Sequence, residues 1–353
     1  MDSISKRQNF SQKVKIKESG VDRISNLPSS VMGHILSFLP TKYAVATSVL
    51  STKWKYLWTS LTTLDHDDEL LLVSFGPRNS TKQKIQEMSF IKFVYRVFML
   101  NVSDLRDLHL KCSRIDDVSH LNAWISAAVA RNVREIYISL PVKEYNATRD
   151  LFTCKSLVVF TLCGKFVLNV PTSVCLQNLK ILRLVLVTFS DDSINRLFPS
   201  CPMLQHFSMI ACVWVNVGVF NIFAPSLKSL SIRGISCHDN TFSWKHKIVL
   251  NAPNLQLLDY NDYVTEGYSM NNLNALVQAK IVLFGTSVRD NSVKELVEGI
   301  SKVQRLHLSC FSMELGRFDR WELLLRLLES SPQLETLVFE GCLPYKHNGD
   351  SDH

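Results

Sequence analysis

From about residue 100 onward the chain repeats one short pattern, apolar-x-x-apolar-x-apolar, followed by a polar residue or a cysteine. It reads LRDLHL at 105, VREIYI at 133, LVVFTL at 157, LKILRL at 179 and LQHFSM at 204. It continues as LKSLSI at 227, LQLLDY at 255, LVQAKI at 276, VQRLHL at 303 and LETLVF at 334. The period-2 end of each copy predicts a short strand, with residues such as Leu182 and Leu184 pointing inward and Arg183 and Val185 pointing to the other face. One such strand leaves its inner face wet, whereas stacking the copies in parallel buries all the inner faces in a continuous core.

The segments between copies carry stop signals. In DSINRLFPSCPM (192–203), Ile194, Leu197 and Phe198 have helical spacing, and Pro199 and Pro202 end the turn. Proline also leads APSL at 224, NAPNL at 251 and SSPQL at 330, where it sets the register of the next strand. Cys112, Cys163, Cys212, Cys310 and Cys342 each fall just after a predicted strand, which reads as a recurring turn position.

Ahead of the repeats the period changes. LPSSVMGHILSFLP predicts a helix capped by Ser29 or Ser30, striped by Val31, Ile35, Leu36 and Leu39, and ended by Pro40. TKYAVATSVL predicts a second helix, and STKWKYLWTSL a third, capped by Ser51, with Trp54, Leu57 and Trp58 on one face. Three short helices have more apolar face than they can cover among themselves, because so short a chain buries too little surface to stand alone.

The stretch DRISNLPSSVMGHILSFLPTKYAVATSVLSTKWKYLW resembles an F-box, through Leu27-Pro28, Ile35-Leu36, Leu39-Pro40, Ala46, Ser48, Val49-Leu50-Ser51 and Trp54-x-x-Leu57-Trp58. The resemblance implies binding to the Skp adaptor subunit of a cullin-RING ubiquitin ligase, and through it to the cullin and RING subunits. On that resemblance, Leu27, Pro28, Ile35, Leu36, Leu39 and Pro40 contact the adaptor or support the contact. Trp54, Leu57 and Trp58 hold the third helix against the other two and against the adaptor or the next repeat. The repeats resemble plant-type leucine-rich repeats, irregular in length. Plant F-box/LRR proteins often end in a region called FBD, which is expected to be absent or truncated here because the sequence stops soon after the last copy.

The expected fold class is α/β: a small three-helix F-box module followed by a parallel-stranded leucine-rich-repeat solenoid. The expected divisions are a flexible basic tail (1–20), the F-box (21–65), a linker or helical cap (66–100), about ten repeats (101–343) and a tail (344–353).

Composition narrows the function. A 46% hydrophobic, 20% charged chain of 353 residues is that of a folded protein. No apolar run approaches the ~18 residues of a membrane span, so no membrane partner is expected. The net charge of +7 is concentrated in no stripe beyond Lys6, Arg7, Lys13, Lys15 and Lys17, which argues against a specific nucleic-acid partner. Nine scattered cysteines without metal spacing fit reduced thiols, and the expected location is cytoplasmic, nuclear or both. Sequons such as Asn9, Asn101 and Asn146 are then chance matches.

No nucleophile elbow, zinc-protease helix, phosphate loop or dinucleotide fingerprint is present. Neither cofactor nor metal is expected, and the chain is expected to be non-catalytic. The acidic run DHDDE (65–69) reads as a solvated linker, and His109, His206 and His307 as ordinary sheet histidines.

The expected function is a substrate-recognition adaptor that holds an unidentified protein substrate on its repeat surface. The outward strand positions offered for that contact are Arg106, Arg134, Tyr137, Lys155, Lys180, Arg183, Lys228, Arg233, Tyr260 and Arg305, a mostly basic set that suits an acidic or phosphorylated partner. Two alternatives are a co-receptor for a small-molecule signal and a ligase-independent binding scaffold.

Overall fold

All ten motif copies end in strands, and an eleventh strand that the motif does not announce precedes them. The computed structural model describes residues 24, 26–71, 81–113, 117, 119–189, 192–234, 246–284, 290–311 and 327–340. The first strands are β1 (Thr63–Asp67), β2 (Asp107–Lys111), β3 (Glu135–Asn146), β4 (Val159–Leu168), β5 (Ile181–Val185) and β6 (Thr188–Phe189). Then come β7 (His206–Ile210), β8 (Val213–Trp214), β9 (Val219–Phe223), β10 (Ser229–Arg233) and β11 (Lys247–Asn251). The last are β12 (Leu257–Tyr263), β13 (Gly267–Asn271), β14 (Gln278–Phe284), β15 (Arg305–Phe311) and β16 (Thr336–Glu340).

The main ladder runs β1-β2-β3-β4-β5-β7-β10-β12-β14-β15-β16, so each repeat lays its strand beside the one before. Every pairing is parallel. The register aligns the motifs residue for residue. The second strand position reads Leu64, Leu108, Ile136, Phe160, Leu182, Phe207, Leu230, Leu258, Ala279 and Leu306, all buried. The fourth reads His66, Leu110, Ile138, Leu162, Leu184, Met209, Ile232, Tyr260, Ile281 and Leu308, buried likewise. These two columns are one wall of the core; Arg183 is exposed and Val185 half-buried, as the alternation predicts.

The return segments form the other wall. Helices α4 (Thr81–Leu100), α5 (Ser119–Val129) and α6 (Arg149–Thr153) serve the first repeats, and α7 (Asp290–Gly299) a late one; α5 buries Leu121, Trp124, Ile125 and Ala128. In the middle, β9, β11 and β13 make a second parallel sheet instead. The segment 192–203 folds as two 3-10 turns rather than an α-helix, with Ile194, Leu197 and Phe198 buried. A tight turn then precedes many motifs: Leu204 N donates to Cys201 O, Leu227 N to Ala224 O, Leu255 N to Ala252 O and Leu334 N to Ser331 O, at 3.0–3.2 Å. One close approach demands glycine. Gly164 has φ +128°, and a Cβ there would lie 2.1 Å from Leu140 O, beside the bulge where β3 shifts register against β4.

The cysteines do not share one turn position. Cys163 lies inside β4 opposite Val185, Cys112 follows Lys111 directly, and Cys212 stands two residues past β7. What they share is burial or near-burial, and burial pushes the Cys212 thiol up to about 12. Cys342 lies outside the described residues.

The N-terminal module departs from three regular helices. Helix α1 (Ser29–Ser37) and helix α2 (Thr41–Ala46) form, the second extended by a 3-10 turn, Thr47–Val49. Pro28 and Pro40 stand at the two N-caps, so neither Ser29 nor Ser30 caps α1. The segment expected as a third helix is a run of turns ending in a 3-10 turn, Leu57–Ser60. Its tryptophans still go inward: Trp54 and Trp58 are buried with Met32, Leu36 and Ala44.

The acidic run 65–69 is no solvated linker. It is the end of β1 and the start of helix α3 (Asp68–Leu71), with His66 and Asp68 buried. Asp68 Oδ1 accepts from Ser113 N at 3.1 Å, and Asp67 meets Lys111 at 3.5 Å. The alternation hid this strand because histidine stands where an aliphatic residue is expected. This strand and the residues around it fix the module to the solenoid: Asp65 N in β1 donates to Thr41 Oγ1 at 2.8 Å, Lys42 Nζ donates to Leu70 O in α3, and Asn101 Nδ2, just past α4, donates to Leu61 O at 2.8 Å.

Candidate functional site: two unpartnered faces

Two surfaces stand out, one on the N-terminal module and one on the sheet. In α1 the positions one residue apart divide cleanly. Met32 and Leu36 (0% exposed) face the core, while Val31, Ile35 (40%), Phe38 (74%) and Leu39 face solvent. Val31, Ile35 and Phe38 follow i, i+4, i+7 spacing, so they form one stripe. The same module also exposes Tyr43, Val49 (88%), Leu50 and Tyr56. Lys42 and Lys55 lie over the rings of Tyr43 and Tyr56 at 5.5 and 5.2 Å, leaving a cationic rim beside the apolar surface. So much apolar surface on one small module is the kind of patch that protein contacts use.

Of the residues expected there, Pro28, Ile35 and Leu39 are exposed, whereas Leu27, Pro40 and Leu57 are half-buried. Pro28 O accepts from Val31 N and Met32 N, and Pro40 O from Tyr43 N and Ala44 N, so both prolines launch helices. Leu36, Trp54 and Trp58 are core and support the face from behind. Phe38, Tyr43 and Tyr56 were not singled out in the sequence, and Val49 and Leu50 entered it only as part of the resemblance, not as contact residues. The signal for Phe38 was its i+7 relation to Val31.

On the sheet, the first, third and fifth strand positions look outward. Tyr137 and Arg183 hold the third position of β3 and β5, Arg233 the fifth of β10 and Arg305 the first of β15. Arg106, Arg134, Lys180 and Lys228 form a different row, at the residue just before β2, β3, β5 and β10; all four are exposed. Two expected members do not belong to this face. Lys155 lies in the turn approaching β4, where its carbonyl accepts from Asn178 Nδ2 at 2.8 Å. Tyr260 is 2% exposed: it occupies the fourth, inward position between Ile232 and Ile281. Its hydroxyl donates to Tyr263 O at 3.1 Å and stands 3.2 Å from that of Tyr268, so the polar tip is satisfied inside.

Charges on the sheet are unevenly neutralised. Arg106 meets Asp107 at 2.9 Å, which raises its pKa, chiefly through the hydrogen bond. His109 lies 3.5 Å from Glu135 and His307 3.2 Å from Glu340. Arg233 Nε donates to Asp259 Oδ2 at 2.9 Å. The strongly shifted buried groups lie behind the sheet. Burial lowers His66 to about 3 and His246 to about 4, and raises Asp262 to about 6. Among the described residues no group of three or more histidine, cysteine or acidic side chains is placed to hold a metal. What the two faces offer chemically is recognition.

Comparison with known proteins gives the same division. A family model described as F-box domain matches residues 24–66, and one described as FBD-associated F-box protein At5g56370, LRR repeats, matches residues 121–339. The F-box/LRR-repeat protein At3g59200 of Arabidopsis thaliana is 30% identical over 93% of this chain and 70% of its own length. Two others from the same plant, putative F-box/LRR-repeat protein At3g58880 and F-box/LRR-repeat protein At1g06630, are each 32% identical over 92% of this chain, covering 78% and 86% of their own lengths.

Proposed function

The chain belongs to the plant F-box/leucine-rich-repeat family, and from that membership we propose that it is a substrate-recognition adaptor of a Skp-cullin-F-box ubiquitin ligase. An F-box module implies a Skp-type adaptor as partner. The observation that carries the reading is the division of α1: Leu36 and Met32 tie the module to its own core, and Val31, Ile35, Phe38 and Leu39 are left facing water. A face of that kind gains its stabilisation when a partner covers it.

The solenoid supplies the other half of the function. Its first strand is bonded to α2, so a protein held on the sheet is held in a fixed relation to the adaptor. The chain itself does no chemistry in this reading. It raises the effective concentration of a substrate lysine near ubiquitin loaded on the conjugating enzyme, in the cytoplasm or nucleus.

Co-purification with a plant Skp adaptor tests the reading. The wild-type chain is expected to be retained and the double variant Phe38→Asp/Leu39→Asp to be lost, with unchanged circular dichroism and melting temperature. Equal retention of both chains, or none by a folded wild type, would overturn it.

A further inference from the structure

The register of the main ladder exposes a regularity that the sequence alone does not display. From the residue before the strand through its fifth position, the outward side chains of β4 are Val158, Val159, Thr161 and Cys163, and those of β5 are Lys180, Ile181, Arg183 and Val185. On β7 they are Gln205, His206, Ser208 and Ile210, and on β10 Lys228, Ser229, Ser231 and Arg233. Four consecutive strands carry no carboxylate on this face. Acidic side chains return on both flanks, at Asp107 and Glu135 on one side and Asp259 on the other, and there they neutralise Arg106 and Arg233 and sit beside His109. Among the described residues, Lys180, Arg183 and Lys228 have no carboxylate partner.

We infer that this four-strand strip is the docking site for an acidic linear peptide in which an Asp or Glu side chain stands next to an aliphatic one, with Arg183 as the anchor of the carboxylate. The inference rests on the reading of the solenoid as the half that captures a protein partner. Arg183 lies at the middle of β5, opposite Thr161 and Ser208. Around it, Ile181 stands opposite Val159, and Val185 opposite Ile210. Strands ~4.8 Å apart and alternate residues ~6.8 Å apart place these side chains within one peptide residue or two of the guanidinium. Four aliphatic side chains on the solvent side of a sheet cost free energy in water, and a peptide side chain laid among them removes that cost. Their cover also lowers the local dielectric, which strengthens a two-pronged guanidinium–carboxylate bond.

The chemistry selects among anions. A phosphate dianion calls for several cations converging on one point, and both neighbours of Arg183 in its row are neutral hydroxyls. Single-stranded nucleic acid calls for aromatic platforms, and the outward positions of β4, β5, β7 and β10 bear no Phe, Tyr or Trp. The lysines at the start of β5 and β10 add long-range attraction for an acidic segment without fixing its register.

Selection from a displayed library of random linear peptides on the full chain tests the inference, with Arg183→Glu as the counter-target and Val185→Ser as a second variant. The expected result is enrichment of Asp or Glu beside Leu, Ile or Val. The selected peptides should bind Arg183→Glu at least about tenfold more weakly and Val185→Ser more weakly than wild type. Enriched sequences without acidic residues, binding unaffected by Arg183→Glu, no enrichment, or tighter Arg183-dependent binding of a labelled oligonucleotide or a phosphoserine version of the peptide would overturn it. Retention of both variants on the Skp adaptor is read in parallel. Loss of adaptor binding with peptide selection intact would sink the ligase reading alone, and the converse would sink this inference alone.

Discussion

His66 and Asp262 carry opposite pH signatures from the same cause. His66 faces the core of the first repeat against Phe93 and Phe98, and burial lowers its pKa from 6.5 to about 3. Below pH 6.5 the unfolded chain takes up a proton there and the folded chain does not, so stability is lost as pH falls toward 3, at up to about 1.4 kcal/mol per pH unit. His66→Leu, which restores the aliphatic ladder, is therefore expected to melt higher than wild type at pH 5, by a margin that shrinks toward neutrality; an unchanged margin would contradict the assignment. Asp262 is raised from 3.8 to about 6 by burial, so its folded form keeps the proton longer than its unfolded form. That contribution is full below pH 3.8 and is lost as pH rises to 6. Asp262→Asn retains an oxygen for the Tyr263 amide, now 2.8 Å away, and is expected to raise the melting temperature at pH 7.5 while leaving it unchanged at pH 3.5. At this scale the inward aliphatic residues were readable because leucine at alternate places has one physical meaning. His66 and Tyr260 were misread because a polar atom on a buried side chain looks, in one dimension, like a surface residue.

At the scale of the element, strands were easier to read than helices. A strand of five residues within a parallel ladder needs only two inward apolar positions, and the motif supplies them each time. The third helix failed because STKWKYLW offers two tryptophans to bury and too few residues to propagate an α-helix, so turns suffice to deliver both rings. The stripe on α1 was half readable: the sequence predicted one apolar face, and the helix has two, one turned to its own core and one turned to solvent. Adjacent alanine substitutions separate them. Leu36→Ala is expected to cost about 3 kcal/mol of stability, and Ile35→Ala less than about 0.5 kcal/mol while weakening adaptor binding. Thermal melts and adaptor titrations of the pair check both, and an equal loss of stability would contradict the division. Gly164→Ala places a methyl group against Leu140 O and is expected to cost about 2 kcal/mol, seen as an earlier melt with adaptor titrations unchanged.

For the whole molecule, eleven parallel strands and their return segments share one core with the N-terminal module, because β1 is at once the last residues of the module and the first rung of the ladder. That junction was invisible to sequence patterning, which placed a linker where the chain lays down a strand. The carboxylate-free strip was equally hidden, since it appears only after the register aligns residues more than twenty positions apart. The central claim is that the solvent-facing stripe of α1 is a partner-binding surface. Isothermal titration of the full chain with a purified plant Skp adaptor tests it most directly. One-to-one, saturable binding by the wild type and by Arg183→Glu, weakened at least about thirtyfold by Leu39→Asp, is the expected result; a folded wild-type chain that takes up no adaptor would contradict it.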